Sequence, residues 1–96
     1  MQIPKKTKIG AHSFTIEHSS DFDEGNFGTA RMARLKIFID GNAEKSLQEE
    51  TYIHEVMHII RQLNGIELKD TDEEEKIVQI MGHAMYQFLT DNNLLK

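Results

Sequence analysis

Along the chain, apolar residues change their spacing twice, and each change marks a different kind of element. Residues 7–9 and 13–17 are short stretches around Gly10-Ala11-His12, which predicts two strands joined by a tight turn, with Phe14 and Ile16 on one face. Residues 33–39 alternate with period two: Leu35, Ile37 and Ile39 face one way, Arg34, Lys36 and Phe38 the other. That predicts a third strand, closed by the turn signal Asp40-Gly41-Asn42. Between them, residues 19–28 are acidic, contain glycine and show no period, so they read as a loop in which Phe22 and Phe27 are expected to pin the chain to the core, the alternative being rim contacts for a ligand.

Beyond Asn42 the period becomes helical. Ser46-Leu47-Gln48-Glu49 has the form of a capping box, so a helix is expected to start near Leu47 and run to Asn64, with Gly65 at the left-handed position that ends it. After a linker at 66–70, Thr71-Asp72-Glu73-Glu74 offers a second capping box for a helix reaching about Asn92. Its apolar residues Ile77, Val78, Ile80, Met81, Ala84, Met85, Phe88 and Leu89 form a wide stripe, expected to fill the core. The expectation is one α+β domain over 1–96: strands and loops over 1–45, a first helix over 46–64 and a second over 71–92.

The first helix carries the chemistry. Residues four apart lie on one helical face, so His54 and His58 in His54-Glu55-Val56-Met57-His58 present two imidazoles to one point, as two nitrogen ligands of a single zinc ion require. Glu55 points about 100° away around the helix, where it reaches a water on the metal without ligating it, as a general base. The rest of this helix is apolar (Ile53, Val56, Met57, Ile59, Ile60, Leu63), and polar groups set in such a surface need partners.

A catalytic zinc usually takes three protein ligands and a water. The chain has no cysteine, and Arg61 and Asn64 stand where the Gly and third His of the longer His-rich motif would have to be. The third ligand is therefore sought in Glu73, Glu74 and Glu75. If Thr71 is the N-cap, Glu74 is its capping partner, which leaves Glu75, with Glu74, Asp72 and His83 as the other options. Gln79, one turn beyond Glu75, could support it by a hydrogen bond, and Gly82 inside an apolar helix suggests close approach to the first helix. His83, Tyr86, Tyr52 and His12 are candidate oxyanion donors, whereas His18 has less to recommend it.

Composition narrows the rest. A net charge of −5, with Lys5, Lys6 and Lys8 as the one basic cluster, argues against nucleic-acid binding. No apolar run is long enough for a membrane span, and the N-terminus lacks a secretory pattern. Together with the absence of cysteine, this leads us to expect a cytoplasmic protein, a monomer or weak dimer.

The motif, the short connection and Glu75 opening a second helix resemble a minimal gluzincin. The chain is similar over roughly residues 28–93 to small metallopeptidase-like proteins of phages and other mobile elements, and more distantly to the ImmA/IrrE type. It departs from them at Gln79, where relatives often carry Asp or Asn, and at Gly82, where they often carry Ala. The resemblance implies a small zincin-like domain: a short three-stranded sheet whose edge strand lines a cleft, one zinc ion held from below by the two helices, and a protein or peptide substrate. The expected activity is zinc-dependent peptide-bond hydrolysis. The alternative is a catalytically silent zinc-binding interaction module of the same fold.

Overall fold

A computed structural model describes residues 2–65, 71–92 and 94 of the 96-residue chain. Four strands, β1 (Lys6–Ile9), β2 (His12–Ser19), β3 (Gly28–Arg31) and β4 (Lys36–Asp40), are followed by two helices, α1 (Lys45–Leu63) and α2 (Thr71–Asp91). The fold is α+β. The sheet is mixed, in the order β1-β2-β4-β3: β1 pairs antiparallel with β2, β2 parallel with β4, and β4 antiparallel with β3. The chain thus passes from β2 to the far edge, forms β3 there, and returns to the middle as β4.

Period-two alternation gives the sheet one dry face. Phe14 and Ile16 of β2 and Ile37 and Ile39 of β4 are buried together with Ile9 and with Ile59 of α1. Burying such a side chain contributes roughly 1.5–3 kcal/mol, so this cluster is the main adhesive between sheet and α1.

Several sequence expectations need correction. The sheet has four strands rather than three, because Gly28–Arg31, too short to show a period, pairs with β4 as an edge. The third predicted strand begins late: Met32–Arg34 form a single 3-10 turn, and Leu35 closes it in the left-handed region (φ 53°). The first helix starts at Lys45 after Glu44, without a side-chain cap, which puts Ser46 inside the helix and turns Glu49 inward, where it is buried. The turn is held instead by Gln48, whose Nε2 donates to the carbonyl of Ala43 at 2.8 Å.

The other end follows the pattern: Gly65 adopts φ +68° after α1, and Asn92 closes α2, its backbone N–H and side-chain amide both donating to the Phe88 carbonyl. The linker at 66–70, the Thr71 side chain and Asn93 lie outside the described residues.

The largest departure is on α2. Val78 and Gly82 are buried, but Ile77, Ile80, Met81, Met85 and Phe88 are between 40 and 58% exposed, so most of the predicted stripe is on the surface. A two-layer protein with one sheet and one helix above it leaves a second helix only one partner, and only its inner side is covered. Phe27 is likewise exposed, bordering a cleft rather than pinning the core, while Phe22 is half-buried. Among the described residues no helix is long and apolar enough to cross a membrane.

Candidate metal centre

α1 lies between the sheet and α2. Its sheet side carries Ile59 and the edge next to β3 carries Thr51 and Glu55, while His54 and His58 turn to the N-terminal part of α2. Two glycines set these contacts. A Cβ on Gly28 would collide with the Thr51 methyl and come within 3.1 Å of the Phe38 carbonyl, so only glycine lets β3 lie this close to α1 beside Glu55. A Cβ on Gly82 would lie 3.3 Å from His54 Cα, so the absent side chain at 82 allows α2 to rest on the backbone of the motif, as its place in the sequence suggests.

The structure brings His54, His58 and Glu75 together. His54 Nε2 is 3.1 Å from His58 Nε2 and 2.9 Å from Glu75 Oε1, and His58 Nε2 is 3.1 Å from Glu75 Oε2. With Glu75 ionised, no placement of the imidazole protons satisfies all three contacts. If both Nε2 atoms carry hydrogen, two N–H groups oppose each other; if either lacks it, a lone pair faces a carboxylate oxygen. A cation among the three resolves the conflict. Ligand atoms on a tetrahedral ion at zinc distances sit about 3.3 Å apart, close to this triangle. The group could hold a metal ion.

The electrostatics agree with a ligand role. His54 titrates below its ordinary value, chiefly because it is partly buried and secondly because His58 faces it, which keeps it in the neutral form that binds metal. Glu55 is buried, and desolvation, followed by the negative charge of Glu75, pushes its carboxyl up to about 7.

Glu74 reaches across to α1. Its Oε1 pairs with Arg61 Nη2 at 2.5 Å, and the same oxygen is 3.7 Å from His58 Nδ1. Arg61 lies three residues beyond His58 on the same helical face, so both side chains reach the start of α2. His83 Nδ1 contacts Glu50 Oε1 at 2.5 Å, adding a further cross-link between the helices, one turn before His54.

A cleft of about 770 Å³ opens beside this cluster. Gly28, Thr29 and Ala30 of β3 form one wall, the motif helix the floor, and Glu75, Gln79 and His83 the other wall. Gln79 is exposed and makes no hydrogen bond to Glu75. Tyr86 is not at the cleft: partial burial and the Glu49 carboxylate raise its pKa, and its hydroxyl is hydrogen-bonded to Glu49 and Thr90. Tyr52 binds Thr7 through its hydroxyl at 2.6 Å, and His12 and His18 are exposed on β2, outside the cleft. No protein-family model, curated protein or solved structure matches this chain.

Proposed function

We propose that the protein is a small zinc-dependent peptide-bond hydrolase of zincin type. The observation that carries this reading is the His54–His58–Glu75 triangle, whose contacts no proton arrangement satisfies, beside a buried Glu55 held near neutrality in the same cleft. Two imidazoles and a carboxylate are a donor set of catalytic zinc, and without cysteine no thiolate alternative exists. The resemblance to small gluzincins favours the same assignment.

When bound, the ion supplies Lewis acidity for a peptide carbonyl and for a water molecule. The chain's own residues do the rest. β3 is an edge strand beside the cleft, and an extended peptide can add to it by backbone hydrogen bonds over the motif helix. Glu55, with a pKa of about 7, accepts the proton of the attacking water and returns it to the leaving amine nitrogen. A bound cation lowers that value further, which keeps Glu55 ionised as a base at neutral pH. Gly28 keeps the strand close enough for substrate carbonyl and base to share the cleft.

The test is metal analysis of the purified chain followed by incubation of the zinc-loaded protein with a library of unstructured peptides, read by mass spectrometry. Wild type should cleave, and Glu55→Gln should keep zinc while losing at least about a hundredfold in rate. A Glu55→Gln protein that cleaves as well as wild type removes the base. The second reading, a zinc-binding interaction module without turnover, draws on the position of Tyr86 outside the cleft, which leaves His83 as the nearest candidate oxyanion donor. A zinc-loaded chain that retains an extended peptide uncleaved would select it.

A further inference from the structure

The two ring nitrogens of His58 face different carboxylates, and both carboxylates come from the first turn of α2. Nε2 lies 3.1 Å from Glu75 Oε2, on the side of the candidate metal centre. Nδ1, on the other side of the ring, lies 3.7 Å from Glu74 Oε1. Successive helical residues point about 100° apart, so Glu74 and Glu75 can take different sides of one imidazole. Their surroundings differ as well: the Glu75 side chain is 56% exposed and that of Glu74 only 16%. A carboxylate so well covered needs a partner, and Arg61 Nη2 meets the same Oε1 at 2.5 Å.

We infer that Glu74 is a positioning residue: it fixes which nitrogen of His58 is offered to the metal, and Arg61 fixes Glu74. The inference rests on the metal-dependent reading of the site given above. A neutral imidazole carries its proton on either nitrogen, and only the bare one ligates. A carboxylate facing Nδ1 favours the proton there, which leaves the Nε2 lone pair for an ion between His54 and Glu75. At 3.7 Å the contact is longer than a direct hydrogen bond, so it acts through the charge of Glu74. Arg61 stands three residues beyond His58 on the same face of α1, so the acid is tied to the helix that carries the ring. This puts one cation beside a site for another. By charge alone Arg61 opposes metal binding, and by holding Glu74 it favours it. The two effects have opposite signs.

Zinc affinity of the full chain, measured by competitive titration, separates them. Were Arg61 only a neighbouring charge, Arg61→Gln would tighten zinc binding; as the anchor of Glu74, its loss should weaken zinc severalfold. Glu74→Gln should weaken zinc about 10- to 100-fold. Arg61→Gln added to that variant should weaken it no further, because the two residues act as one unit. Nitrogen and proton chemical shifts of the imidazoles give a readout independent of affinity. In the zinc-loaded wild type, His58 should ligate through Nε2 and carry its proton on Nδ1. With zinc saturating, Glu74→Gln should move the His58 Nδ1 proton signal and leave that of His54 in place, whereas a general loosening of α2 would move both. Tighter zinc binding by Arg61→Gln, additive losses in the double variant, both proton signals moving together, or ligation through Nδ1 would each overturn the inference while leaving the metal site standing. A wild-type chain that takes up no zinc would overturn both.

Discussion

The two sides of α1 are held by different forces. Toward the sheet, Ile59 joins Phe14, Ile16, Ile37 and Ile39 in a dry cluster with no titratable group in it. Toward α2, beside the buried Val78, the contacts include His54 and His58 with Glu75, Arg61 with Glu74, Glu50 with His83, and a bare glycine backbone against His54. Hydrophobic burial changes little with proton or metal concentration, whereas a seam of imidazoles and carboxylates responds to both. If the site holds an ion, the attachment of α2 should therefore respond to it, while the sheet–α1 layer should not.

The sharpest way to break the contrast is from the dry side. Phe14→Ala should cost about 3–5 kcal/mol by lost burial and cavity formation, and thermal melts should register that loss equally with zinc or with chelator. A loss that zinc rescues would mean the two interfaces are not separate.

Next comes pH. In the folded chain the Glu55 carboxyl titrates near 7 instead of 4.5, so between those values the folded state keeps a proton that the unfolded state has released. Stability of the metal-free protein from this group is accordingly present at low pH and lost as pH rises through the window, by on the order of 3 kcal/mol. His54, with its lowered value, acts in the opposite direction below 6.5. Comparing Glu55→Gln with wild type isolates the first effect: in chelator the variant should gain relative stability from pH 5 to pH 8 in urea titrations. A difference that stays flat with pH would show that Glu55 is not buried as a neutral acid.

Metal removal tests the polar side directly. At a free ion concentration a hundredfold above its dissociation constant, binding adds about 2.7 kcal/mol, which a chelator should remove and His58→Ala should make irrelevant. Identical melting curves with and without zinc would dissolve the comparison. The smallest expected effect is at Gly82. Alanine gains about 1 kcal/mol of helix propensity, but its Cβ at 3.3 Å meets the His54 backbone, which has little room to yield. Net stability should change by less than about 1 kcal/mol while zinc affinity, followed by competitive titration, falls as α2 is displaced from the imidazoles.

Much of this was legible in the chain. The hairpin around Gly10, the core positions Phe14, Ile16, Ile37 and Ile39, both helices and the glycine stop at 65 follow from period and turn chemistry, because these are local constraints. The convergence of His54 and His58 follows from helix geometry alone, and the adjoining Glu75 was reached through its neighbours on the second helix. β3 was not legible: four residues carry no period, and their strand character comes from the partner they find on β4. Nor was the pairing of Glu74 with Arg61, since it joins two helices and no local spacing carries it. The outer stripe of α2 was misread for a related reason: amphipathic spacing marks an apolar face without revealing whether anything in the same chain is left to cover it.

By itself, then, the sequence determined the hairpin, both helices, the sheet's dry face and the two imidazoles on one helical turn, because each depends on residues close together in the chain. Tertiary structure alone decided which strand forms the edge of the cleft, and that α2 keeps an uncovered apolar face. Those outcomes depend on how far apart packed layers come to rest, and at Gly28 and Gly82 that distance is set by a side chain that is not there.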